Sequence, residues 1–320
     1  MRKQFSPAQI ALGHSFKQAC ANNDLDTQLA APRYVGERFL AHWHAGMGPS
    51  RIMIKGGYKF GQADRPTQDC DIVTVRRYSN GEIQRGFGII AERLAAEGIT
   101  LSRWSSEAQE IETGHDPVVR YKIEATLGTI RANVDLDIST AIGPDAFPRD
   151  VPFEDLPRMF KAPKWPTLHA QVQPDEAAVA EKWIAVIMQD AGDYRVKHLA
   201  DVISYNARGV DLDRVAEELI RVCRHRGIPI SVCAPSPPAL RWPRCDHRES
   251  SWNAFRAKRN CPLTYDQAWI DVSAYWADTH RALTLALRNG PRRTFSDRII
   301  FDEIMAASRR PTVHQYIPKM

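Results

Sequence analysis

No run of apolar residues in the sequence approaches the ~18–20 needed to cross a bilayer. Its opening, MRKQFSPAQIALGHSF, mixes polar and apolar residues where a signal peptide would carry a greasy stretch. A membrane partner and a secretory leader are therefore not expected, and the cytoplasm is the expected compartment. Cysteine is sparse. Cys20, Cys70, Cys223, Cys233, Cys245 and Cys261 include no C-x-x-C pair and match no common zinc spacing, which excludes a disulfide scaffold and leaves reduced thiols. Also absent are the G-x-S-x-G elbow of serine hydrolases and the G-x-x-x-x-G-K-[ST] phosphate loop. No internal repeat or low-complexity tract occurs, so a solenoid is excluded. What is present is ordinary globular material: 320 residues, 43% hydrophobic and 25% charged, enough for one large domain or two smaller ones. The formal net charge of +5 permits a polyanionic partner without requiring one.

Periodicity divides the chain. Two amphipathic helices, SPAQIALGHSFKQAC and RYVGERFLAHWH, form a lead-in or cap. RIMIK reads as a strand, GGYKFG as a turn opening a short helix, and DCDIVTV as a second strand. EIQRGFGIIAERLAAEG is a helix ending at Gly98. Three β-like runs follow, ITLSRW, VVRYKIEATLG and TIRANVDLDIS, the last two joined by a hairpin turn near Leu127-Gly128-Thr129. From residue 175 the pattern is helical, including FSDRIIFDEIMAAS near the end, and the Pro-rich stretches 152–166 and 235–243 punctuate these blocks. The expected domains are 1–165, a mixed sheet with its N-terminal helices, and 166–320, a helical domain.

The chemistry concentrates between the first two strands. Two glycines at a strand-to-helix turn, Gly56 and Gly57, let backbone N–H groups approach a phosphate with no Cβ in the way. Residues two apart on a strand share a face, so Asp69 and Asp71 present adjacent carboxylates. Such like charges repel unless a cation lies between them, and hard oxygen ligands favour Mg²⁺. Val134-Asp135-Leu136-Asp137-Ile138 supplies a further acidic strand, and a third carboxylate from it would complete a two-metal clamp for nucleotidyl transfer.

This order of diglycine, D-x-D and later acid resembles the polymerase-β-like nucleotidyltransferase superfamily. The flanks narrow the resemblance: GERFLAHWHAGMGPSRIMIKGG, RPTQDCDIV, GTIRANVDLDIS, DEAAVAEKWIAVI and YRVKHLADV, in that order, look like the AbiEii/AbiGii family of nucleotidyltransferase toxins. The similarity spans roughly residues 33 to 285, including the late pair Trp252 and Phe255. The resemblance implies an α+β fold: a polymerase-β-like mixed sheet with flanking helices, followed by a helical domain. It implies an enzyme of type IV toxin–antitoxin and abortive-infection systems that uses Mg²⁺ and an NTP, with tRNA or another RNA as acceptor. A cognate antitoxin would be encoded nearby, acting without an obligatory stable complex.

Position by position, the resemblance makes Gly56 and Gly57 the phosphate loop and Asp69, Asp71 and Asp137 the metal ligands, with Asp135 tuning the field. Lys182, in A-E-K, would reach the triphosphate; by position alone it would be a surface lysine laying its stem over an apolar stripe. The family's R-x-K-D-x-x-D stands here as Arg195, Lys197, His198 and Asp201, histidine replacing one acid. Asp201 would orient Arg195 or Lys182, or else pair with Lys197 one turn away. Tyr58 replaces a small hydroxyl residue of the wider superfamily, leaving phosphate contact there to the backbone.

Three functions compete. The first is NMP transfer from an NTP to RNA, most plausibly the tRNA 3′ end, with the basic segment 241–259 tracking phosphates while its aromatic residues stack on bases. Arg292, Arg293, Arg309 and Arg310 would extend that track. The second is nucleotidylation of a protein or small molecule. The third is a nucleotide- or RNA-binding protein without turnover, motivated by His198.

Overall fold

The computed structural model describes residues 5–61, 67, 69–113, 116–143, 145–148, 150–162, 164–188, 196–235, 246–259 and 261–289. The chain divides into two compact units, Met1–Pro174 and Asp175–Met320. The helix expected at FSDRIIFDEIMAAS and the arginines at 292–293 and 309–310 lie outside the described residues.

In the first unit, Ser6 caps α1 (Pro7–Asn22) in a reciprocal box with Gln9, and the Asp26 side chain caps α2 (Thr27–Ala41). A short α3 (Trp43–Met47) leads into β1 (Ile52–Lys55), a single 3-10 turn over Gly56–Lys59, and β2 (Asp69–Thr74). Next come α4 (Asn80–Ala96), closed by Gly98 at φ +84°, then β3 (Ile99–Thr113), β4 (Asp116–Leu127) and β5 (Ile130–Thr140). The order β1-β2-β5-β4-β3 makes a mixed sheet in which β2 and β5 run parallel and all other neighbours antiparallel. A small pair, β6 (Phe153–Asp155) with β7 (His169–Gln171), completes this unit.

The sheet is two-faced, and the alternation of β5 shows why. Ile130, Ala132, Val134, Leu136 and Ile138 are buried, while the residues between them are polar and more accessible. The apolar face packs on Phe16 of α1, Val35 and Phe39 of α2, Trp43 of α3, and Phe87, Ile90 and Leu94 of α4. Each such side chain contributes about 1.5–3 kcal/mol when fully buried. The N-terminal helices are thus part of the principal core, not a cap over a finished domain. The opposite face keeps its charged residues, and at one end Met53, Val73, Ala141 and Ala146 form a small separate apolar cluster.

The second unit holds α5 (Asp175–Ile187), α6 (Val196–Asn206), α7 (Leu212–His225), α8 (Asp246–Arg259) and α9 (Tyr265–Asn289). Trp183 of α5 meets Trp276 of α9 at 4.9 Å between ring centroids, and the Trp276 indole donates to the Ala234 carbonyl at 3.1 Å. Among the described residues no helix is long and apolar enough to cross a membrane.

Candidate active site

The polar face of the sheet gathers the acids. In the parallel ladder Asp69 stands opposite Asp135 and Asp71 opposite Asp137, so four carboxylates occupy two adjacent rows. Basic residues flank them from the neighbouring strands: Lys55 of β1 opposite Asp71, and Arg120 and Lys122 of β4 opposite Asp137 and Asp135. Burial pushes the Asp135 carboxyl above its usual range; Arg120 and Lys122 oppose that rise, and Asp69 and Asp137 add to it. Crowded acids of this kind create a demand for positive charge.

The diglycine turn lies against this cluster. Gly56 takes φ +67°, a left-handed conformation natural to glycine, and a Cβ there would run into the Asp71 carboxylate. A Cβ on Gly57 would meet Thr67 at 2.7 Å. The helix expected after the glycines is one 3-10 turn of four residues, so backbone N–H groups, not a helix macrodipole, are what this turn offers an anion.

Buried cations hold the turn from behind. Arg33 is fully buried on α2 and donates to the carbonyls of Phe60 at 2.6 Å and Tyr58 at 3.0 Å, and to Glu37 at 2.8 Å. Lys59 donates to the Gln173 carbonyl. Burial raises the Glu37 carboxyl, and Arg33 opposes the rise. Tyr58 is turned into the core, where its hydroxyl donates to the Arg33 carbonyl at 3.4 Å, and Gly36 provides the space. The phenol therefore leaves the polar face to the backbone. Cys70, between the two acids of β2, points into the core, and burial pushes its thiol far up.

Arg120 and Lys122 were not singled out from the sequence, although a signal existed. The turn Gly128–Thr129 pairs Leu127 with Ile130, and counting back along the hairpin sets Arg120 against Asp137 and Lys122 against Asp135. Arg120 grips Asp137 with both arms, Nε to Oδ1 at 2.7 Å and Nη2 to Oδ2 at 2.6 Å. Among the described residues no three His, Cys, Asp or Glu side chains converge as a formed metal site. The donor chemistry nonetheless fits a hard divalent cation: Asp69, Asp71 and Asp137 offer carboxylate oxygens from two strands in register.

The second unit contains its own polar cluster. Lys182 of α5 pairs with Asp201 of α6 at 3.1 Å, and their side chains are 21% and 4% exposed. Lys182 is thus a partnered lysine and not one lying freely over the surface. Its Nζ also lies 3.4 Å from His198 Nδ1. Arg195 and the side chain of Lys197 lie outside the described residues, so the Lys197–Asp201 alternative does too. Trp252 corrects one expectation: it is fully buried and its indole donates to the Leu263 carbonyl at 3.1 Å, so it is core and does not stack on bases. Trp242 lies outside the described residues.

Paired acids in register on a mixed sheet, beside a diglycine turn, form a surface suited to metal-assisted chemistry at a phosphate. The family model described as nucleotidyl transferase AbiEii toxin, type IV TA system, matches residues 50–268, and the chain belongs to this family. It is a nucleotidyltransferase toxin, and membership implies an NTP substrate and an antitoxin partner. Among solved structures the chain is similar to MenT4, a nucleotidyltransferase toxin from Mycobacterium tuberculosis H37Rv, at 14% identity and TM-score 0.46, covering 94% of this chain and 97% of that one. It is also similar to a nucleotidyltransferase from Helicobacter pylori at 15% identity and TM-score 0.43, covering 78% and 94%. A third similar structure, JHP933 from Helicobacter pylori, has 13% identity and TM-score 0.40, covering 89% and 97%. No curated protein matches the chain.

Proposed function

We propose that the protein is a Mg²⁺-dependent transferase that moves NMP from an NTP to an RNA hydroxyl, the tRNA 3′ end being the favoured acceptor. In this reaction the acceptor oxygen bonds to the α-phosphorus, the bond to pyrophosphate breaks, and the hydroxyl proton is lost. The observation that carries the reading is the parallel register of Asp69 and Asp71 with Asp135 and Asp137 beside the Gly56-Gly57 turn.

Asp69, Asp71 and Asp137 would hold the divalent cation. When bound, it would supply Lewis-acid activation of the attacking hydroxyl and relieve charge on the leaving pyrophosphate. The backbone of Gly56 and Gly57 admits a phosphate oxygen closely because no side chain intervenes. By the family resemblance Lys182, with Arg195 and Lys197, would supply positive charge for the triphosphate, and Asp201 holds the Lys182 ammonium at 3.1 Å. The histidine at 198 leaves the Lys182–Asp201 pair intact, which favours retained turnover over a purely binding role. The toxin acts in the cytoplasm, and its antitoxin neutralises it without a permanent complex.

The test is incubation of the purified chain with each labelled NTP, Mg²⁺, and either total tRNA or a protein lysate. Label on the 3′ end of tRNA supports the proposal. Label confined to protein shifts the acceptor, and no label with any NTP removes the activity.

A further inference from the structure

The Arg120–Asp137 contact is a two-armed, charge-assisted fork on one of the three acids assigned to the metal. The fork takes one lone pair on each Asp137 oxygen and sets a fixed positive charge beside both, so a hard cation approaching the same carboxylate meets charge repulsion and fewer free acceptor sites. We infer that Arg120 is the resident counter-ion of Asp137, a positioning residue that neutralises the acid row in the metal-free enzyme and yields this carboxylate when a divalent cation binds. The inference rests on the metal role proposed for Asp69, Asp71 and Asp137.

Two observations support it. The hairpin register fixes Arg120 directly opposite Asp137, so the pairing is built into the sheet and is not a chance reach of a long side chain. The Arg120 side chain is 33% exposed and that of Asp137 14%, so the guanidinium can withdraw to solvent while the acid stays on the sheet. Lys122 serves as comparison: it has the same charge on the same face, but faces Asp135.

The experiment measures Mn²⁺ binding to the full chain by electron paramagnetic resonance, without nucleotide, for the wild type, Arg120→Gln, Arg120→Lys, Lys122→Gln and Asp71→Asn. Thermal melts with and without Mn²⁺ run alongside. Arg120→Gln is expected to bind Mn²⁺ about tenfold more tightly, a coupling in the usual range for two groups competing for one partner. Arg120→Lys, which keeps the charge but loses the fork, should also tighten binding. Lys122→Gln should change it less than Arg120→Gln, and Mn²⁺ should raise the melting temperature of Arg120→Gln more than that of the wild type. Should Arg120→Gln fail to fold, Arg120→Lys carries the test. Unchanged or weaker binding in Arg120→Gln overturns the inference, as does equal tightening in Arg120→Gln and Lys122→Gln with none in Arg120→Lys. Loss of wild-type binding in Asp71→Asn keeps the metal reading standing in either case; no binding in any variant removes both.

Discussion

Gly56 and Gly48 form a natural experiment on the phosphate turn. Both have left-handed φ, +67° and +77°. A Cβ at Gly48 would meet nothing within 4 Å, whereas at Gly56 it would strike the Asp71 carboxylate. Gly48→Ala therefore isolates backbone strain, about 1–3 kcal/mol at φ +77° and ψ 175°, a region nearly confined to glycine, less about 0.4–1 kcal/mol from the stiffer unfolded chain. A net loss near 1 kcal/mol lowers the melting temperature of a unit of this size by about 2–4 °C. Gly56→Ala carries positive-φ strain of its own and also forces Asp71 off its rotamer, adding about 0.5–1.5 kcal/mol. Its activity should fall much further than its stability, since a displacement of about 1 Å at a reacting centre can cost a factor of about 100. The assay pairs thermal melts with pyrophosphate release. Gly48→Ala should remain active, and Gly56→Ala should be folded and nearly inactive. Comparable activity in the two variants would refute the argument that the turn and Asp71 work as one unit.

Asp69→Asn and Asp71→Asn should each abolish pyrophosphate release while circular dichroism shows an unchanged fold; near-normal turnover in either removes it from the metal set. Lys182→Ala should raise KM for the NTP, and Asp201→Asn should do the same more weakly because the lysine survives without its anchor; unaltered NTP kinetics in both would return the pair to a structural role. Arg33→Ala leaves Glu37 buried and unpaired beneath the turn, and should cost about 3–5 kcal/mol in a denaturant titration. Glu97 predicts an acid limb. Burial would raise its carboxyl, but hydrogen bonds from Arg38 and His42 outweigh burial and hold it below its usual range. A depressed folded-state value means the stabilisation is complete above the unfolded range, about pH 4.3, and is lost as pH falls through the folded value. Glu97→Gln should flatten stability against pH in that window, and an identical acid limb in wild type and variant would count against the assignment.

Much of the first unit was legible because its signals are local. The alternation of β5, the D-x-D of β2 and the glycines after β1 each act within a few residues, and spacing alone places the acids on one face. The hairpin turn at Gly128 was legible for the same reason. Long-range partners were not. The core role of α1 and α2 depends on their sitting over a sheet whose strands all come later, from Ile52 to Thr140. His42 is held by Glu97 at 2.6 Å, an acid 55 positions away, and nothing in the helix pattern around the histidine points to that partner. Trp252 reads as a basic-patch aromatic in the sequence and becomes core only because the Leu263 carbonyl and neighbouring helices enclose it. Arg120 falls between these cases, since local alternation gave its face but only the hairpin register gave its partner.

The most direct measurement is a crystal structure with Mn²⁺ and a non-hydrolysable NTP analogue, in which anomalous scattering locates the ion. The account predicts a peak in coordination contact with the Asp69 and Asp71 carboxylates, next to the Gly56-Gly57 turn and the analogue's phosphates. A bound analogue whose phosphates lie away from that turn, or a peak that touches neither aspartate, would contradict it.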